Sequence, residues 1–261
     1  MNSLKKTADP GEPLNQAEVT VRQDIETLGK TAAHFIARLA DECVTKKGRF
    51  TLALSGGTTP RILYKYLSQA PVRNEIPWGG VLLFWSDERC VPPDHPDSNF
   101  GMANEILLSK VPVPSENIFA FPVKMDNAKA AAISYENTIC DCFDPNEDEI
   151  PSFDLILLGI GVDGHTASLF PGSPALEEKE AWVAANYVKK LDLTRLTLTL
   201  PIINQAKRIL FLASGREKAP IIKALLSSDR RNSPYPAALV EPVSGRRYFF
   251  IDEDAAGELK R

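Results

Sequence analysis

Phe153-Asp154-Leu155-Ile156-Leu157-Leu158-Gly159-Ile160-Gly161-Val162-Asp163-Gly164-His165 is an apolar run that breaks into glycines and then delivers an acid and a histidine together. Parallel strands covered on both faces are written as unbroken apolar runs, and in open α/β sheets ligands bind just beyond the strands' carboxyl ends. The stretch therefore predicts a buried strand emptying into a site, with His165 at its mouth. Gly159, Gly161 and Gly164 also satisfy G-x-G-x-x-G, but a dinucleotide site needs a helix opening there and an acid about 20 residues on. The segment Thr166 to Pro174, interrupted by Pro171 and Gly172, cannot hold a long helix, and the next strand-like run ends in Lys189-Lys190, so no nicotinamide cofactor is expected. Taken alone, the motif leaves a second reading open, in which the glycines make only a tight turn and His165 is a satisfied structural histidine.

On either side of this stretch, helical and strand patterns alternate. Ile25, Leu28, Ala32, Phe35, Ile36, Leu39 and Cys43 mark the apolar stripe of an amphipathic helix, with His34 beside the stripe. Phe50 to Leu54 reads as a strand, followed by Ser55-Gly56-Gly57-Thr58-Thr59 and a helix whose first turn accepts Pro60. Val81 to Trp85 is a second buried strand. The loop after it, Ser86 to Asn99, carries Asp87, Glu88, Arg89, His95 and three prolines, a density of charge that usually marks function. Helical patterns at Phe100 to Leu108 and Ala128 to Cys142 precede the His165 stretch. Two further strands are expected at Leu196 to Leu200, entered through Arg195, and at Ile209 to Ala213. Lys218 falls in the first turn of a helix reaching about Leu226, where Pro220 is tolerated because first-turn amides lack intrahelical acceptors. Alternation of this kind predicts an α/β fold: a single domain over residues 18–261, with a mostly parallel open sheet flanked by helices on both faces, after a flexible N-terminal segment, 1–17.

Composition narrows the function classes. A chain of 261 residues with 44% hydrophobic and 25% charged residues can bury a large core. It has no apolar run near the roughly 20 residues of a membrane span, and its start lacks a secretion signal's apolar core, so a cytoplasmic protein without membrane contact is expected. Cys43, Cys90, Cys140 and Cys142 lack paired C-x-x-C spacing and read as reduced thiols. His34, His95 and His165 lie far apart without a ligand pattern, which predicts no metal site. The net charge of −4 argues against general nucleic-acid affinity, so an anion site must be built from local basic groups.

Ser55-Gly56-Gly57-Thr58-Thr59-Pro60 supplies such a place. Small residues there let successive backbone amides face an anion at the positive end of a helix, which suits a phosphate. No G-K-[ST] follows, so a nucleoside triphosphate is not implied; the glycines alone would equally make an ordinary left-handed turn. Ser55 also sits between strand and helix like a nucleophile elbow, but Ala53 replaces the elbow's first glycine and no histidine follows His165 late in the chain.

Ser55 to Pro60, Ser86-Asp87-Glu88-Arg89 with Ser98-Asn99-Phe100, and Asp163-Gly164-His165-Thr166-Ala167-Ser168-Leu169-Phe170-Pro171-Gly172 together resemble the 6-phosphogluconolactonase family. Arg195-Leu196-Thr197-Leu198-Thr199-Leu200-Pro201 and Gly215-Arg216-Glu217-Lys218-Ala219 extend the match in the same order over most of the chain. The resemblance implies a Rossmann-like fold of the sugar-phosphate isomerase type and hydrolysis of 6-phospho-D-glucono-1,5-lactone, the second step of the oxidative pentose phosphate route. It implies no cofactor, a small sugar-phosphate lactone as the partner molecule, and a monomer or weak homodimer. The sibling glucosamine-6-phosphate deaminases resemble the chain less: their pattern continues through Asn-Glu-Pro after the histidine, where this chain has Leu169-Phe170-Pro171, and they typically carry tyrosine at Arg89. A non-catalytic sugar-phosphate sensor would share the same phosphate pocket.

The residues suit lactone hydrolysis. Histidine, with an ordinary pKa of about 6.5, is the natural base to deprotonate water near neutrality. His165 is the expected base and Asp163 the group that orients it. Arg89 or turn amides between Gly161 and Gly164 are the expected donors to the developing oxyanion. Ser55, Gly56, Gly57, Thr58, Asp87 and Asn99 are expected to line the substrate and phosphate site, and the resemblance adds Arg195 and Lys218.

Overall fold

The computed structural model describes residues 17–123, 127–147 and 149–259, so residues 1–16 of the expected flexible segment lie outside the described residues. The chain begins with β1 (Glu18–Arg22), α1 (Ile25–Lys47), β2 (Phe50–Leu54), α2 (Thr58–Leu67), α3 (Val72–Glu75), β3 (Val81–Trp85), β4 (Asp87–Arg89) and α4 (Asn99–Ile106). It continues through α5 (Ala128–Phe143), β5 (Leu155–Gly159), β6 (Val183–Val188), β7 (Leu193–Leu198), α6 (Leu200–Ile203), β8 (Arg208–Ala213), α7 (Ala219–Leu226) and β9 (Arg246–Asp252).

A six-stranded sheet, in the order β1-β9-β8-β5-β2-β3, is parallel at every pairing. All five residues of β2 and the first four of β5 are buried, as expected of strands covered on both faces. β3 lies to one side of β2 and β5 to the other, so the chain changes direction between β2 and β5. Ligands collect at such a reversal. The turns that follow these two neighbouring strands are Ser55 to Thr58 and Ile160 to His165.

Helix α1 shows how the sequence sets its own ends. The Asp24 carboxylate accepts from the Thr27 amide at 2.8 Å, and the Thr27 hydroxyl faces the Asp24 amide, making a reciprocal N-terminal cap. Leu28, Ala32, Ala33, Ile36, Leu39 and Ala40 bury the stripe, and Gly48 ends the helix in the left-handed region at φ 78°. His34 is exposed beside that stripe, as its position predicts.

The second sheet departs from expectation. β4, β7 and β6 form a separate three-stranded antiparallel sheet. The segment expected to be loop throughout, Ser86 to Asn99, thus begins with a strand. Its sequence, Asp87-Glu88-Arg89, has no apolar alternation to reveal it. The strand expected at 196–200 instead spans Leu193–Leu198, because Pro201 sits in the first turn of the short helix α6, so Arg195 lies inside the strand. The edge strand β1 was not foreseen either, since only its middle residue is more than slightly covered. The smaller sheet still shares the apolar core, with Val183, Leu196 and Leu198 buried in the same cluster as β2 and β5.

Candidate active site

A cavity of about 550 Å³ opens above the β2 and β5 turns. His165 and Asp163 line it from one side. They are directly linked: Asp163 Oδ1 lies 2.5 Å from His165 Nδ1, and also 3.3 Å from the His165 amide. Burial pushes the Asp163 carboxyl up, but the His165 hydrogen bond and charge outweigh it and hold the group below its ordinary value. An ionised Asp163 therefore accepts the proton on Nδ1, which leaves the Nε2 lone pair as the basic position. The Phe170 ring stacks on the imidazole at 4.1 Å between centroids and 24° between planes, fixing its tilt.

The glycines of this turn have local reasons. A Cβ on Gly161 would overlap the His165 ring, so the residue must be glycine for the histidine to fold back onto the strand end. Its amide is used within the turn, donating to the His165 carbonyl at 2.8 Å, and the Gly164 amide donates to the Gly161 carbonyl at 3.0 Å. Neither of these two amides is free to meet an oxyanion, which corrects the expectation for Gly161 and Gly164 and leaves the Val162 and Asp163 amides or Arg89 as the expected donors. Gly164 does not line the cavity at all; its carbonyl accepts from Ala237 beneath.

Opposite the dyad, Ser55, Gly56, Gly57 and Thr58 line the cavity at the start of α2. Gly57 caps this helix without any side-chain hydrogen bond, so the first amides keep no protein acceptor and the positive helix end faces the cavity. The Ser55 hydroxyl donates to the Gly56 carbonyl at 3.3 Å and has no histidine beside it, unlike an esterase nucleophile.

Arg89 and Arg195 stand directly opposite each other across the β4–β7 pair. Like charges so placed repel. Burial and the Arg89 charge push the Arg195 guanidinium below its ordinary value. Nε is buried without a hydrogen-bond partner on both side chains. Such a pair is stabilised by an anion lying between it and the amides of α2. Lys218 closes the same cavity from the turn before α7, 16% exposed and 3.9 Å from Glu217.

Asp87 lines the cavity, whereas Asn99 lies behind it and 1% exposed. Asp87 accepts from Ser168 at 2.7 Å and from Asn99 at 3.3 Å, while the Asn99 amide nitrogen also donates to the Asp87 carbonyl at 2.8 Å. Asn99 is thus a brace against Gly56 and Asp87 rather than a ligand of the substrate, a correction to the expected role. Lys190 is a basic lining residue that sequence reasoning missed, with Nζ 3.7 Å from Asp163 Oδ2. It reaches the site from the β6–β7 turn, and no motif spacing announces that. Among the described residues no group of three His, Cys, Asp or Glu side chains is placed to hold a metal ion, and no helix is long and apolar enough to cross a membrane.

Residues 23–249 match the family described as glucosamine-6-phosphate isomerases/6-phosphogluconolactonase. A 6-phosphogluconolactonase from Nostoc sp. is 36% identical over 241 residues, covering 92% of this chain and 98% of the relative. The human 6-phosphogluconolactonase is 38% identical, covering 91% and 92% respectively. The structure of 6-phosphogluconolactonase from Trypanosoma brucei superposes with a TM-score of 0.85 at 27% identity, over 94% of this chain and 100% of that one. A monomeric glucosamine-6-phosphate deaminase superposes over 92% of this chain with a TM-score of 0.76, but at 23% identity it shows likeness of fold alone. With a match that runs from the start of α1 into β9 and takes in every element around the cavity, the chain belongs to the glucosamine-6-phosphate isomerase/6-phosphogluconolactonase family.

Proposed function

We propose that the chain hydrolyses 6-phospho-D-glucono-1,5-lactone to 6-phospho-D-gluconate, with His165 as the base that activates water. The observation that carries this reading is the sharing of one cavity by a carboxylate-held histidine and a facing pair of arginines, each with an unpartnered Nε, beside an uncapped helix start. Arg195, Lys218 and the amides of Gly57 and Thr58 hold the phosphate and so set the lactone ring against the opposite wall. His165 Nε2 takes a proton from water as the oxygen attacks C1. Asp163 keeps the imidazole in the productive tautomer and stabilises the imidazolium that forms. Negative charge gathers on the carbonyl oxygen, where Arg89 or the Val162 and Asp163 amides donate. Collapse of the tetrahedral species expels the ring oxygen, which takes the proton back from His165. A lactone is an activated ester, so one base and one oriented water suffice without a covalent intermediate.

The deaminase reading meets a specific obstacle, since the apolar Phe170 ring, not a carboxylate, lies on the imidazole. A cytosolic address is part of the proposal, supported by four cysteines that are all unpaired. The test is a parallel assay: disappearance of freshly generated 6-phosphogluconolactone, and ammonia release from glucosamine 6-phosphate. Fast lactone loss with negligible ammonia is expected. Ammonia release at a comparable rate would reverse the reading, and tight 6-phosphogluconate binding without any acceleration would make the chain a sensor.

A further inference from the structure

A second cavity, of about 660 Å³, shares no lining residue with the first. It lies at the C-terminal end of α7, whose eight residues separate it from Lys218 by roughly 12 Å at 1.5 Å per residue. Among the described residues, its walls carry Arg230, Arg231 and Arg247 and one carboxylate, Glu241. That carboxylate is already engaged: Arg231 donates to it at 2.6 and 3.1 Å, and Arg230 at 2.9 Å.

Arg247 differs from its neighbours. It is 5% exposed, its Nη1 is buried without a hydrogen-bond partner, and its guanidinium carbon lies 5.9 Å from the Phe249 ring centroid. Burial and the Arg230 charge push this guanidinium down to about 10, so it stays cationic at neutral pH. An unpaired buried charge is strongly destabilising, and Arg247 is one.

We infer that this cavity is a second anion site that takes the phosphate group of a small phosphorylated metabolite, with Arg247 as the buried anchor and Arg231 as its exposed partner. Guanidinium forks pair with phosphate oxygens two at a time, and the Ser227 and Ser228 hydroxyls at the rim add donors of the kind a tetrahedral dianion accepts. A cavity of this size also leaves room for an organic body.

The test is a ¹H–¹⁵N amide titration of the full chain with three probes: inorganic phosphate, glucose 6-phosphate and adenosine 5′-monophosphate. The inference expects the Ser227 and Ser228 amides to shift along a binding curve separate from that of Gly57 and Thr58, with at least one organic phosphate binding tighter than inorganic phosphate. Arg247→Met should weaken the Ser227 curve by about tenfold or more and leave the Gly57 curve in place. Arg231→Ser, at a side chain 73% exposed and so safe for folding, should weaken it several-fold with lactone turnover unchanged. Shifts confined to Gly56 through Thr59, Ser227 curves unaltered in both variants, or inorganic phosphate binding as tightly as both organic probes would each overturn the inference.

Discussion

Asp163 shows how much one contact decides at the residue scale. Its carboxylate both fixes the His165 tautomer and stays ionised, because the imidazole outweighs the burial that would protonate it. With its pKa held below the ordinary 3.8, Asp163 remains charged across the whole neutral range, so it should add no loss of activity there as pH falls toward that value. Asp163→Asn keeps the shape but presents either an amide proton or a weaker acceptor to Nδ1. Turnover should fall by about 10²-fold, the lower end of what base catalysis provides, with KM nearly unchanged. A steady-state comparison checks this, and a variant that lost substrate binding in proportion would make Asp163 a structural residue. The dyad was legible in the sequence because acid and base lie two residues apart at a strand end. Lys190 was not, since it arrives from a hairpin turn whose position depends on the second sheet. Asn99 and Gly164 were misassigned for a related reason: spacing shows that a residue is near a site, not which way its groups point.

At the scale of the element, the β4–β7 pair gives up stability to hold its charge. Arg195→Ala removes a repulsion with Arg89 and should leave the Tm unchanged or raise it, while weakening binding of the phosphorylated lactone by about 1.5–3 kcal/mol. Lys218→Ala should do the same to binding. Both effects should nearly vanish for unphosphorylated gluconolactone, and equal losses on the two substrates would assign these residues to the scaffold. Glu88, the middle residue of β4, anchors the same strand. It is 2% exposed, and burial pushes its carboxyl up against three amides, those of Arg89, Asn99 and Phe100, each donating at 2.7 Å. Glu88→Gln turns an NH₂ toward one of those amides and should cost about 1–3 kcal/mol in chemical denaturation, with activity lost as Arg89 loosens. Apolar runs revealed β2, β3, β5 and β8 from sequence alone. Strands of charged or exposed residues, β4 and β1, carry no such pattern and are held by their pairing.

Across the whole molecule, Asp154 ties α1 to the sheet. It is 1% exposed, accepts from Lys47 at 2.8 Å and Lys207 at 3.1 Å, and receives the Thr51 amide at 2.9 Å. Burial raises its pKa, but the Lys47 and Thr51 hydrogen bonds carry it below the ordinary 3.8. A carboxyl whose folded pKa is depressed contributes its full stability above the unfolded pKa and loses it as pH falls through the folded one. Wild-type stability should therefore drop below about pH 4, and Asp154→Asn should be about 2–3 kcal/mol less stable at pH 7 with a flatter acid limb. Denaturation midpoints from pH 3 to 7 check this, and parallel limbs would contradict it. On this frame the β2 and β5 turns are brought together, and the account rests on what His165 does there. The direct test is single-turnover hydrolysis of freshly generated 6-phosphogluconolactone by wild type and by His165→Asn, with 6-phosphogluconate binding measured on both. The account predicts a folded variant that binds product normally and turns over roughly 10²–10⁴-fold more slowly; a folded, product-binding variant with near wild-type turnover would contradict it.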